Sequence, residues 1–387
     1  MLIHRLKVSG LLSFGPSGID LPLEPLNVLI GPNGSGKSNL LEVLSLLRAS
    51  PTKLPQPVKE MGGVREWLWK GQGSIGRATI DAVIDYPQKD MKIRHVLEVE
   101  AHGERFEVID ERIENERAYP DYEDVFFYYR FQKGHPALND LSDQHRGLRR
   151  ENIKPEESIL SQVRDPERYP VLHWLQDRYE KIQLHRNWTF GPAAPVRQEQ
   201  SAQSRSDALN DGGENLAVVL SKMPGAVRRD LIQSLRYLYD GLEDVRLSVD
   251  GGNVLLFLEE RGGREIPATR LSDGTLRYLS LLAVLLHPDP PPLAAIEVPE
   301  LGLHPDVLPH VAELLVRASE RMQLVVTTHS RMLVDALTDR PGSIVVCSKD
   351  RGESSFDRLD GEQLSSWLDK YTLGELWSKG ELGGNRW

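Results

Sequence analysis

The chain has 387 residues, 47 of them basic and 57 acidic, for a formal net charge of −10 and an ordinary apolar share of 40%. That length holds one large domain or a domain with a lobe, and the single cysteine, Cys347, excludes disulfides within the chain and cysteine-based zinc sites. The acidic balance does not advertise nucleic-acid binding, but a basic cluster at Arg146, Arg149 and Arg150 leaves a local groove open beside the plain reading of a solvated surface.

Residues Leu2 to Val8 alternate as a strand does, which argues against a signal peptide, and a turn at Gly15–Gly18 leads to a second strand over Ile19–Leu23. No apolar run approaches the roughly 20 residues that span a bilayer, so a cytoplasmic protein without membrane contact is expected. Leu26–Ile30 is a short apolar run that reads as a buried strand, and Asn39–Arg48 carries leucines at helical spacing. Between them stand Gly31, Pro32, Asn33, Gly34, Ser35, Gly36, Lys37 and Ser38, in the order G-x-x-x-x-G-K-S. Strand, glycine-rich loop, helix is the setting of a phosphate-binding loop. The glycines let backbone N–H groups curl round a phosphate, and the helix start adds its positive dipole end. Lys37 would reach the β- and γ-phosphate oxygens of ATP, Ser38 would sit on Mg²⁺, and Asn39 follows in the same site.

A Pro-rich loop, residues 51–58, follows the first helix, and Trp67 and Trp69 read as core. Ala78–Tyr86 and Lys92–Glu100 alternate cleanly as antiparallel strands of a half-exposed sheet. From about Glu111 the character becomes polar, with helical spacing over Pro155–Leu184, which suggests a helical lobe inserted over 111–212. Inside it the aromatic run Tyr119–Phe131 has mainly acidic companions, so a packed strand is favoured over base stacking. A long helix is expected over Gly213–Tyr239, then strands near Val245–Val249 and Val254–Leu258. Helix and strand then alternate: Ser272–Leu286, Leu293–Ile296, Val307–Ala318, Leu324–Thr328 and Ser343–Ser348. That alternation builds a parallel sheet with helices on both faces. The expected division is 1–110, first half of a nucleotide domain; 111–212, lobe; 213–348, second half; and 349–387, a polar tail whose Gly374–Trp377 and Gly380–Gly384 read as an extended docking segment.

Three features of the second half bear on the phosphate loop. Glu297 ends an apolar strand, the place of a further Mg²⁺ contact in phosphate-loop NTPases. Upstream, Leu271-Ser272-Asp273-Gly274-Thr275 opens a helix; downstream, Thr328 and His329 close a strand. In this order and spacing the sequence resembles the ABC-type ATPase head, in its SMC/RecF/OLD-like branch of stand-alone ATP-binding proteins. The resemblance implies an α/β phosphate-loop NTPase head, with a mixed sheet core, an antiparallel β subdomain and the inserted lobe. It also implies that Leu271–Thr275 stands for the signature motif, with Ser272 and Gly274 capping the γ-phosphate of ATP bound to a partner subunit. His329 matches the switch histidine, His304 takes the place of a D-loop aspartate, and Gln72 and Gln88 compete for the Q-loop. His304 and His329 also have a plain reading, as turn and strand-end histidines.

One departure matters. The family carries two adjacent acids after the strand, the second to polarise the attacking water, and here Val298 follows Glu297. Valine cannot accept a proton; Glu300 lies two residues on. The implied activity is an ATPase, slow at hydrolysis, whose heads form a homodimer around ATP and act on DNA or on a nuclease or effector protein in repair or phage defence. Two rivals stand beside it: a non-hydrolysing ATP sensor or clamp, and an ABC transporter-type subunit.

Overall fold

A computed structural model of the chain describes residues 1–73, 76–87, 91–132, 135–139, 145–147, 153–186 and 188–384. The chain forms two compact units: the first is Met1–Ile182 with Ile344–Leu359 and the segment from Leu382, the second Gln183–Ser343 with Asp360–Glu381.

The first unit is built on an antiparallel sheet of eight strands, in the order Ile19–Pro22, Ile3–Ser9, Arg77–Ile84, Ile93–His102, Arg105–Asn115, Phe127–Gln132, His135–Asn139 and His145–Gly147. Alternation appears where one face is covered, as in Ile19–Pro22. Leu26–Ile30 is buried at every position. It pairs in parallel with Ile344–Asp350, which turns back antiparallel on Glu353–Arg358.

The second part of the aromatic run, from Phe127, is a strand inside that sheet, whereas Tyr119–Phe126 is loop with Tyr122 exposed, and the neighbourhood is less helical than 111–212 suggested. Arg105–Asn115 carries the sheet past residue 110, Phe127–Gln132 continues it, and helices begin only at Ile159–Gln162 and Pro170–Glu180. Tyr128 and Tyr129 are adjacent, hence on opposite faces, and both are buried. The run therefore has no polar–apolar alternation to betray it. Glu111, fully buried, joins this sheet to the first of those helices: its carboxylate accepts from the Ser158 hydroxyl and from the Ile159 N–H at 2.8 Å. His95 stands between Glu111 Oε1 at 3.3 Å and the Tyr179 hydroxyl at 3.1 Å.

In the second unit Gln183–His185, Leu293–Glu297 and Gln323–Thr327 are parallel neighbours. A separate antiparallel ribbon joins Gln200–Ser201, Asn253–Glu260, Leu242–Asp250 and Arg264–Pro267. The single helix expected over 213–239 is two, Leu216–Lys222 and Gly225–Leu235. Pro224 separates them, because it has no N–H to donate and forces Met223 into an extended conformation.

The polar tail is ordered structure, not an extended segment. Glu353–Arg358 is a strand, and Leu373–Ser378 is a helix closed by a full capping box between Thr372 and Glu375, with Leu373, Leu376 and Trp377 buried. No described helix is long and apolar enough to cross a membrane.

Candidate functional site

In the first unit the buried strand Leu26–Ile30 delivers the chain to the glycine-rich loop, and the helix Lys37–Ala49 begins where the loop ends. Gly36, at φ 100°, is the N-cap and offers no side chain to the first-turn N–H groups. A glycine at this position leaves room for an anion at the helix start, where the dipole favours one. Close packing makes two glycines obligatory. A Cβ on Gly31, at φ 145°, would stand 2.1 Å from the Cys347 carbonyl oxygen, and one on Gly36 would stand 2.3 Å from Ser354 Oγ. Lys37 is buried and lies back along the loop, its ammonium donating to the carbonyls of Gly31 at 2.8 Å and Pro32 at 3.0 Å. Asn33, Gly34 and Ser38 are exposed, and Ser35 is buried with no partner for its hydroxyl. Asn39, placed in the site by sequence, turns its amide to Ser13 Oγ at 2.6 Å. Ser354 donates to the same hydroxyl at 2.7 Å. Ser13 and Ser354 brace the loop from behind, and burial holds the nearby Cys347 thiol well above its ordinary pKa.

The second unit gathers the remaining assigned residues, and it shows partners that sequence did not suggest. The Glu297 carboxylate, at the end of its strand, accepts from Arg186 Nε at 3.0 Å. Val298 follows in the left-handed region, at φ 49°, its N–H held by the carbonyl of Thr327 at 3.0 Å. For a β-branched residue this is a genuine outlier, at a cost of roughly 1–2 kcal/mol. The twist carries the chain to Glu300. Its Oε1 accepts from the Thr328 hydroxyl at 2.7 Å and from the His329 N–H at 2.8 Å, while its Oε2 is buried with no partner among the described residues. Glu300 and His329 are therefore neighbours, joined through the backbone of the switch residue, whose side chain is exposed.

Ser272 is the N-cap of the helix Asp273–Leu285 and accepts from the Thr275 N–H at 3.0 Å. Gly274 is a packing glycine: a Cβ on it would stand 2.5 Å from the carbonyl oxygen of Gly302, in the loop after Glu300. The segment is fixed by Arg197, which is buried and donates to the carbonyls of Phe190 at 2.7 Å, Ala268 at 3.1 Å and Leu271 at 2.6 Å, and also to Asp273. One turn on, the Arg277 guanidinium lies 5.1 Å over the Phe190 ring, and burial lowers its pKa from the ordinary arginine range.

His304 is exposed and caps a short turn through the Asp306 N–H. Gln72 is exposed, whereas Gln88, Arg149, Arg150 and the side chain of Arg146 lie outside the described residues. No group of three or more metal-ligating side chains occurs among the described residues. The donors assigned to magnesium, the Ser38 hydroxyl and the Glu297 carboxylate, are hard oxygens. They suit Mg²⁺, which takes one or two protein oxygens and completes its shell with phosphates and water.

The chain matches the family model described as AAA domain, putative AbiEii toxin, Type IV TA system, over residues 26–335. No curated protein matches it. Among solved structures it is similar to an SMC head bound to the C-winged helix domain of ScpA, at 15% identity and a TM-score of 0.58, covering 93% of this chain and 99% of that one. It is also similar to an SMC head domain with an extended coiled coil, bound to the C-terminal domain of ScpA and derived from Pyrococcus furiosus. There the identity is 14%, the TM-score 0.55, and the coverage 95% of this chain and 98% of that one. At such identities the likeness shows the fold: a phosphate-loop ATPase head of the SMC type.

Proposed function

The chain belongs to the AAA-domain family described as putative AbiEii toxin, Type IV TA system, and from that premise we propose that it binds ATP, hydrolyses it slowly and dimerises head to head when loaded. The observation that carries the reading is the phosphate loop, with a glycine at its helix start, two glycines that tolerate no side chain and a buried Lys37. Its backbone N–H groups bind the phosphates, and the Lys37 ammonium moves from the loop carbonyls to neutralise their charge. Mg²⁺, held by Ser38 and Glu297, would supply Lewis-acid charge to the phosphate oxygens. Ser272 and Gly274 belong to the complementary half-site, which acts on the nucleotide of a second copy, and Ser272 is exposed at its helix start. Closure of two such copies is a two-fold, self-complementary arrangement.

Hydrolysis requires water to attack the γ-phosphorus, its proton to pass to a base, and the bond to the leaving ADP oxygen to break. Glu300 is the candidate base. One of its oxygens is fixed by Thr328 and His329, and the other has no partner among the described residues. His329 contacts the γ-phosphate in this scheme. We place the loaded dimer on DNA or on a nuclease or effector protein, in repair or phage defence. The related SMC heads were solved with a protein, ScpA, bound.

A second reading, an ATP-gated clamp without turnover, is favoured by Val298 alone, since valine occupies the position where a carboxylate would orient water. A titration of MgATP against the wild type and Lys37→Ala tests the first step. Loss of binding in a folded Lys37→Ala chain is expected, and unchanged affinity would overturn the phosphate-loop assignment.

A further inference from the structure

The segment Gly380–Gly384 has no part in the site as described so far. Gly383 and Gly384 are consecutive left-handed residues, at φ 73° and 68°, a conformation glycine adopts without penalty. Within the first unit Gly384 rests on the beginning of the phosphate loop. A Cβ built on it would lie 3.5 Å from the Cα of Gly31, 3.5 Å from the carbonyl oxygen of Cys347 and 2.8 Å from Cγ1 of Val346. Gly31 is itself pressed against that Cys347 carbonyl, and its own carbonyl receives the Lys37 ammonium at 2.8 Å. A line of close contacts thus runs from Gly384 through Gly31 to Lys37.

Within the second unit the preceding helix, Leu373–Ser378, is pinned: Thr372 Oγ1 donates to Asp335, and the Leu373 N–H donates to Thr338 Oγ1 at 3.1 Å. A Cβ on Gly374 would stand 2.7 Å from the Arg331 carbonyl. Only Lys379, Gly380 and Glu381 separate that helix from Leu382.

We propose that the Gly383–Gly384 turn is a positioning element of the nucleotide site: it lies against Gly31 and so fixes the first residue of the phosphate loop. The proposal rests on the reading of Gly31–Ser38 as an ATP-binding loop. A side chain at 384 is strained by its φ and is driven towards Val346. A Cβ there would meet Gly31 only at ordinary contact distance, so the disturbance is a shift of the turn away from Val346 that withdraws its support from Gly31, and sub-ångström placement governs such sites.

The test is calorimetric titration of MgATP into the full-length wild type, Lys37→Ala, Gly384→Ala, and Gly384→Ala combined with Val346→Ala. The unfolding midpoint of each is taken without nucleotide. Gly384→Ala is expected to weaken binding about tenfold or more, with its nucleotide-free midpoint lowered only by the strain of a side chain at that φ. The double variant, which removes the atom struck by the new methyl group, should recover part of the loss. A merely structural glycine would lower the midpoint and leave affinity alone. Wild-type affinity in Gly384→Ala, with binding still lost in Lys37→Ala, overturns the proposal while sparing the ATP-binding reading. A wild type that does not bind MgATP sinks both. If Gly384→Ala does not fold, Gly384→Asn takes its place, since asparagine tolerates the left-handed region best among the other residues, and the same two readouts decide.

Discussion

Thr328 holds Glu300: the threonine hydroxyl donates to one carboxylate oxygen at 2.7 Å, while the other has no partner among the described residues. A carboxylate fixed by one oxygen and open at the other can accept a proton from water without first breaking a protein hydrogen bond. Val298, two residues before, can do neither. In the proposed hydrolysis the chemistry turns on that pair of positions.

Glu300→Gln should lower phosphate release about 10²-fold or more while leaving ATP affinity close to wild type, since a general base contributes typically 10²–10⁴-fold. Val298→Glu in the native background should raise turnover if a second carboxylate after Glu297 is what the rate lacks. A single-turnover phosphate assay reads both. If neither variant changes the rate, chemistry does not limit turnover and the clamp reading gains.

Ser272→Arg should leave ATP binding by the monomer intact and abolish ATP-dependent dimerisation, because Ser272 is exposed at the helix start that would face a second copy. Nucleotide titration beside sedimentation velocity separates the two effects. A variant that still dimerises with ATP removes Ser272 from the interface.

Glu111→Ala should lower the unfolding midpoint in urea and destabilise the first unit by about 2–4 kcal/mol, because a buried donor left unpaired costs about 1–3 kcal/mol. The hydroxyl of Ser158 and the N–H of Ile159 lose their acceptor, and His95 loses its carboxylate neighbour. Affinity for ATP should move far less than the midpoint. The reverse pattern would mean that this buried network serves the nucleotide site.

Cys347 should resist thiol reagents in the folded protein at mildly alkaline pH. Burial raises its pKa, so the reactive thiolate is scarce, and the side chain is out of reach of solvent. Absorbance with a chromogenic disulfide should show one thiol only after denaturation. Rapid labelling of the native chain would contradict the packing of the strand behind Gly31.

The phosphate loop was legible in sequence because all its determinants are local: a buried strand, spaced glycines, a lysine and an amphipathic helix lie within some two dozen residues. The same holds for Glu297 at its strand end and Ser272 at its helix start, each marked by the boundary it sits on. What supports these residues was not legible. Ser13 and Ser354 meet behind Gly36 from positions 341 residues apart. Arg197 reaches the signature segment from 74 to 76 residues away, and nothing marks it among the other arginines. The aromatic run announced a packed strand, but with Tyr128 and Tyr129 buried on both faces it carried no alternation to show that it extends the sheet of the first unit. Pro224 did announce a break, and the apolar spacing on either side of it masked the signal. Gly384 read as part of a tail because its neighbour, Gly31, lies at the other end of the sequence.

The most direct measurement is molar mass by light scattering, with and without MgATP, at protein concentrations well above those used for binding. The account predicts that the wild type doubles its mass only when MgATP is present, and that Lys37→Ala and Ser272→Arg remain monomers throughout. A wild type that binds MgATP to saturation and stays monomeric would contradict it.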